Sequence, residues 1–143
     1  MGSGVIKFDG INWITYNTKN SGIASDTILH EACDSKGNIW FSSGTFGAIS
    51  KYNGTNWTTY FAPNRHNAGA SSIAIDKQDN IWLSYNDINL GGIVKFDGTN
   101  WTIYNTSNSG LTCNYVVAIA IDAQGNKWCA MQGAGGGLCE FKN

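Results

Sequence analysis

Near-copies of one unit run through this chain. KFDGINWITYN at 7–17 returns as KYNGTNWTTYF at 51–61 and as KFDGTNWTIYN at 95–105. Trp13, Trp57 and Trp101 are therefore each 44 residues apart. CDSKGNIWFSS at 33–43 returns as IDKQDNIWLSY at 75–85 and as IDAQGNKWCAM at 121–131, which spaces Trp40, Trp82 and Trp128 by 42 and then 46 residues. All six tryptophans sit at repeat positions. A glycine leading a short run to an aromatic recurs at Gly4, Gly47, Gly91 and Gly136. Periods of this length suit propeller blades or helical solenoids.

Local pattern decides between them. Ser72–Asp76 and Asn100–Tyr104 are short and rich in β-branched and aromatic residues. Asp-Gly, Gly-Asn and Asn-Gly turns bound such segments and accept positive φ in hairpins. No 11-residue window shows a 3.6-residue period. The chain is read as all-β, with three four-stranded antiparallel β-propeller blades. Inner strands are expected near 28–33, 71–76 and 116–121, and second strands near 39–43, 81–85 and 127–131. Third strands are expected near 48–52, 92–96 and 137–141, and outer strands near 56–60 and 100–104. A third-type strand at 5–8 and an outer strand at 12–16 are left over, the latter free to complete the last blade.

Composition narrows the function. The chain has 143 residues and 15.4 kDa, enough for a single domain over 1–143. At 42% hydrophobic and 13% aromatic it is not a disordered chain. A net charge of −1 gives no footprint for nucleic acid or an anionic membrane. No basic start leads into an apolar stretch, which favours the cytoplasm over the periplasm. Cys33, Cys113, Cys129 and Cys139 form no C-x-x-C, and two histidines are too few for a zinc site. They read as small buried hydrophobes, with a disulfide as the alternative. No metal or cofactor is expected. Four N-x-S/T triplets, at Asn53, Asn56, Asn100 and Asn105, follow from the repeat alone.

The turn Asp-x-x-Gly/Asp-Asn-x-Trp joins inner and second strands. Asp34, Asp76 and Asp122 are expected to accept backbone N–H groups there, with Gly37, Asp79 and Gly125 in the left-handed position. A calcium loop would need six to eight oxygens, and each turn offers one carboxylate.

These residues carry a resemblance. Gly-Asn-Ile-Trp, then Gly-Gly-hydrophobic-x-Lys-Phe-Asp-Gly-x-Asn-Trp-x-x-Tyr-Asn-Thr-x-Asn-Ser-Gly-Leu, resembles the two-component regulator propeller repeat. Residues 91–111 match it best, and three copies cover nearly the whole chain. In that family the repeats build sensor propellers attached to signalling domains, so the resemblance implies binding. A more distant likeness is to streptogramin lyase propellers, which share the Asp-x-x-Gly-Asn-hydrophobic-Trp turn.

Propellers close with four to eight blades. Three blades make about half of a six-bladed ring and would leave two apolar faces open, so a homodimer closing the ring is expected. Positions where one copy departs from the others are the candidate sites. The 61–70 loop holds Arg65 and His66, and the 85–90 loop of the same blade holds Tyr85 and Asp87. These four are expected at one mouth of the channel; the plain alternative is a polar loop insertion. His30 and Glu31 stand where the other copies have Ser72 or Ala118 and Ile73 or Ile119, and are expected on the channel wall. A carboxylate in an isoleucine slot is costly unless wet or paired. In a two-fold dimer two Glu31 residues would share a proton or hold a cation across the channel.

Catalysis has no carrying motif: G-x-S-x-G, H-E-x-x-H and the phosphate loop are absent. The chain is read as a non-catalytic binding module for a small molecule or a protein. A sugar-binding propeller lectin is the first alternative, because Trp, Tyr, Asn and Gly abound. A streptogramin lyase-like enzyme is the second, because His30 and His66 could meet at a channel mouth.

Overall fold

The computed structural model describes residues 2–63, 69–86 and 91–141. Thirteen antiparallel strands form four sheets among them. The chain opens with a hairpin of β1 (Val5–Phe8) and β2 (Trp13–Tyr16). The first blade holds β3 (Ile28–Cys33), β4 (Ile39–Ser43), β5 (Ala48–Tyr52) and β6 (Trp57–Phe61). The second holds β7 (Ala70–Ile75), β8 (Ile81–Tyr85), β9 (Gly92–Phe96) and β10 (Trp101–Tyr104). The third holds β11 (Val116–Ile121), β12 (Lys127–Met131) and β13 (Gly137–Phe141). In each blade consecutive strands are neighbours, so the sheet is a meander built from local hairpins. This is β-propeller architecture.

The left-over N-terminal strands do not complete the third blade. β2 pairs with β1, from Val5 with Tyr16 to Phe8 with Trp13. The reason is local. Asp9 Oδ1 accepts the N–H groups of Ile11 (2.9 Å) and Asn12 (2.8 Å), closing a short loop at little entropic cost. β13 therefore carries no outer strand among the described residues, and two blades of four strands stand beside one of three.

The repeated aspartate turn is a hydrogen-bond cage. Asp76 Oδ1 accepts the N–H of Gln78 (3.0 Å) and of Asn80 (2.9 Å), while Oδ2 accepts the Asn80 amide (2.9 Å) and the Trp82 indole N–H (2.8 Å). Asp34 and Asp122 repeat the set, with Trp40 at 2.9 Å and Trp128 at 3.0 Å. The carboxylate oxygens are thus occupied by donors of their own turn. Gly37, Asp79 and Gly125 take positive φ of 79°, 61° and 88°. Aspartate enters that region more readily than most residues with a side chain. Asp79 gains a second contact: its carboxylate accepts the Ser35 N–H (2.9 Å) and hydroxyl (2.7 Å) of the first blade.

Burial pushes the Asp34 and Asp76 carboxyls up, but the bonds from Asn38, Trp40, Asn80 and Trp82 outweigh it and hold both below the usual value. At Asp122 the Trp128 indole bond, then the Asn126 amide, lower it to about 2.

Cores lie between blades. Trp40 and Ile49 of the first blade pack with Ala70, Ile81, Leu83, Tyr85, Val94 and Phe96 of the second. Trp82 and Ile93 of the second pack with Val116, Ile119, Cys129, Met131 and Phe141 of the third. All four cysteines are free thiols; Cys113 and Cys129 are buried, and Cys33 is exposed. Burial, then the charge of Cys139, push the Cys129 thiol up to about 12, as suits a core residue.

Candidate functional site

The junction pattern places one cleft. A tryptophan on the second strand of one blade crosses to an aromatic on the third strand of the next. Trp40 meets Phe96 at 6.3 Å between ring centroids, and Trp82 meets Phe141 at 6.2 Å. Each indole also meets a tyrosine and a lysine of its own blade. Tyr60 lies 5.6 Å and the Lys51 Nζ 5.4 Å from Trp40; Tyr104 lies 5.8 Å and the Lys95 Nζ 5.6 Å from Trp82. Amine-over-indole contacts of this kind add about 0.5–1 kcal/mol where exposed.

The β1–β2 hairpin is seated against the first blade as β9 and β10 are against the third. Gly4 N–H donates to the Asp26 carbonyl (2.9 Å) and Thr18 N–H to the Asp26 carboxylate (2.7 Å). In the copy, Gly92 N–H donates to the Asn114 carbonyl (2.6 Å) and Thr106 N–H to its side-chain oxygen (2.8 Å). Gly4 and Gly92 take φ of 79° and 103°, and a Cβ on either would strike the carbonyl of Tyr16 or Tyr104. The hairpin therefore holds the third and outer positions of a blade that has no inner or second strand among the described residues.

Their place is a cleft of about 680 Å³. Val5, Lys7 and Tyr16 line it from the hairpin; Ile28, Glu31, Ile39, Phe41, Tyr52 and Trp57 line it from the first blade. Lys7 and Tyr16 are the counterparts of the lysine and tyrosine that flank Trp40 and Trp82. Tyr52 is the counterpart of Phe96 and Phe141. The rings meet as their counterparts do at the two formed junctions, where Tyr60 lies 4.8 Å from Phe96 and Tyr104 4.9 Å from Phe141: Tyr16 lies 5.4 Å from Tyr52, and the Lys7 Nζ 5.6 Å from the Tyr52 ring. The Tyr52 hydroxyl donates to the Gly54 carbonyl (2.5 Å), which leaves its oxygen for the Tyr16 hydroxyl at 3.1 Å. That bond, then burial, raise the Tyr16 phenol. The Trp57 indole N–H is buried with no hydrogen-bond partner among the described residues.

The residues singled out from sequence scatter. Arg65, His66 and Asp87 lie outside the described residues. Tyr85 is fully buried in the core between the first two blades, not on a channel mouth, because it continues the inward alternation of Ile81 and Leu83 along β8. His30 and Glu31 are both exposed on β3, paired with Ser42 and Phe41. As strand neighbours they point to opposite faces. Glu31 lines the cleft, while its counterparts Ile73 and Ile119 pack into the two blade junctions. Sequence reasoning did not find the cleft. Its signal was the hairpin's Lys-Phe-Asp-Gly and Asn-Trp-x-x-Tyr, which have no Asp-x-x-Gly-Asn-x-Trp turn before them.

No family model and no curated protein matches the chain. Solved structures do. The extracellular domain of a hybrid two-component system from B. thetaiotaomicron superposes with a TM-score of 0.67 at 26% identity, over 97% of this chain and 20% of that one. A catalytically inactive virginiamycin B lyase from Staphylococcus aureus, solved with quinupristin, gives 0.66 at 19% identity, over 96% of this chain and 47% of that one. PorZ, a surface component of the type-IX secretion system of Porphyromonas gingivalis, gives 0.64 at 16% identity, over 95% and 22%. The resemblance to two-component-system and streptogramin lyase propellers therefore holds at the level of fold. This chain spans a fifth to just under half of the structures it matches. An extracellular neighbour does not favour the cytoplasmic expectation. Among the described residues no helix is long and apolar enough to cross a membrane.

Proposed function

We propose that this propeller segment is a non-catalytic binding and interaction module that closes a six-bladed ring with a second copy of itself. One observation carries the reading: the two ends of the blade stack present complementary unfinished junctions. At one end the hairpin and first blade frame an aromatic cleft. At the other, Trp128 of the third blade is 37% exposed, where Trp82 of the second blade is wholly buried. Exposed apolar faces of this kind mark association sites. The ring would present its channel and loops to a ligand or protein. Light scattering across a dilution series tests this. A mass of twice 15.4 kDa that persists on dilution is expected; a monomer at every concentration overturns it.

Sugar binding is the second reading, favoured by the same cleft. Its volume suits a small ligand, and Tyr16, Tyr52 and Trp57 offer ring faces for stacking. Titration with simple pyranosides, followed by tryptophan fluorescence, separates the two. Saturable quenching abolished by Trp57→Ala would favour the sugar; an unchanged spectrum would remove it.

A further inference from the structure

We propose that Trp128 of a second copy fills the cleft between the β1–β2 hairpin and the first blade, with that hairpin taking the third and outer lanes beside the second copy's β12 in place of β13. This rests on the two-copy reading above and names the residues that make the contact.

The chain supplies its own template twice. Trp40 and Trp82 each sit between a lysine and a tyrosine of their own blade and an aromatic of the next. At the hairpin cleft that setting exists without its indole: Lys7, Tyr16 and Tyr52. On the third blade the indole exists without that setting. Trp128 keeps its bond to Asp122 at 3.0 Å, but β13 has Glu140 where Lys51 and Lys95 stand. Among the described residues no outer strand brings a tyrosine to it. What each end lacks the other holds. The contact is head to tail, so two copies form two identical junctions and close.

One lane is claimed twice. β1 and β13 are both third strands, and only one can lie beside β12. Three features favour β1. Lys7 restores the lysine that the other blades place opposite the tryptophan. The outward face of the hairpin, with Ile6, Phe8 and Trp13, is exposed, although the counterparts of the first two, Val94 and Phe96, are buried. Laid beside β12, Phe8 would take over the contact of Phe141 with Trp82 and Tyr104. The lead-in to β13 is also glycine-rich: Gly133, Gly135 and Gly137 take φ of 94°, 80° and 137°, so this strand is joined by pliant backbone.

The test uses two variants, each breaking one side of the junction: Trp128→Ala, and Lys7→Glu with Tyr16→Ala. Circular dichroism and thermal melts confirm folding; Lys7→Glu alone, at an exposed position, serves if the double variant melts early. Each variant by itself should associate roughly 30-fold more weakly or worse, the loss of a buried aromatic anchor. Mixed, they should form a one-to-one dimer, because the intact cleft of one meets the intact Trp128 of the other. Folded variants that keep the native dimer mass overturn this contact while leaving the two-copy reading standing. A mixture of folded variants that stays monomeric also overturns it. If the native chain is monomeric throughout, the two-copy reading itself falls.

Discussion

Trp82 and Trp128 occupy the same place in successive blades and meet different fates. Both follow the aspartate turn, and both donate an indole N–H to its carboxylate, at 2.8 Å and 3.0 Å. Trp82 is wholly buried between blades; Trp128 is 37% exposed. The turn and its hydrogen bonds are therefore set by seven consecutive residues. The burial is set by the next blade, through residues such as Phe141, and among the described residues no blade follows the third. The lesson is that repeat residues specify the blade, whereas blade faces are specified only in pairs.

The largest test of that difference is deletion of the two indoles. Trp82→Ala should cost about 3–5 kcal/mol of stability in urea unfolding, the loss of a fully buried large side chain and the cavity left behind. Trp128→Ala should cost well under half as much in the dissociated chain. Equal losses would mean that the third blade's face is already covered. Next comes association. Glu31→Ile restores the residue type that its counterparts Ile73 and Ile119 use at the two formed junctions. It should tighten the dimer about tenfold by light scattering, as removal of a desolvated carboxylate worth about 1.4 kcal/mol would. Looser association would place Glu31 against a cation instead.

Acid offers a third test. Asp34, Asp76 and Asp122 hold carboxyls lowered in the folded state, Asp122 to about 2. Such groups stabilise the fold above the unfolded carboxylate value near 3.8. That contribution is lost as pH falls from there toward 2. Melting temperature should therefore drop across that window, and Asp122→Asn should shallow the drop. A flat profile from pH 4 to 2 would contradict the cage. The smallest effect is expected from Leu138→Glu, which should leave the dimer within about twofold, since β13 is the strand that yields its lane and an exposed site tolerates the charge. A marked loss would show β13 staying in the junction and β1 giving way.

Strand order was plain in the residues because three copies calibrated one another. The inner, second and third strands of the first blade fall where the pattern expects them, and β7 and β6 differ by one residue at their ends. The cage roles of Asp34, Asp76 and Asp122 were equally legible, since a turn is local. Pairing beyond one blade was not. Nothing within Trp13–Tyr16 says whether it joins Val5–Phe8 or β13; the short Asp9 turn decides it. Tyr85 reads as a loop residue of a divergent copy, yet it is buried against Trp40 and Ile49 across the junction and its own blade's Ala70. Glu31 is legible as a misfit among two isoleucines, but its surroundings depend on a hairpin in another part of the chain.

The most direct test of paired ends is amide hydrogen exchange on the native chain, read at β1 and β13 above and below the concentration at which it associates. As the mass doubles, β1 should gain protection and β13 lose it, because β1 takes the lane beside β12 that β13 holds, while β4, β5, β8 and β9 inside the complete blades stay unchanged. A doubled mass with β1 and β13 exchanging as before would contradict that pairing, since the copies would then meet through some other surface.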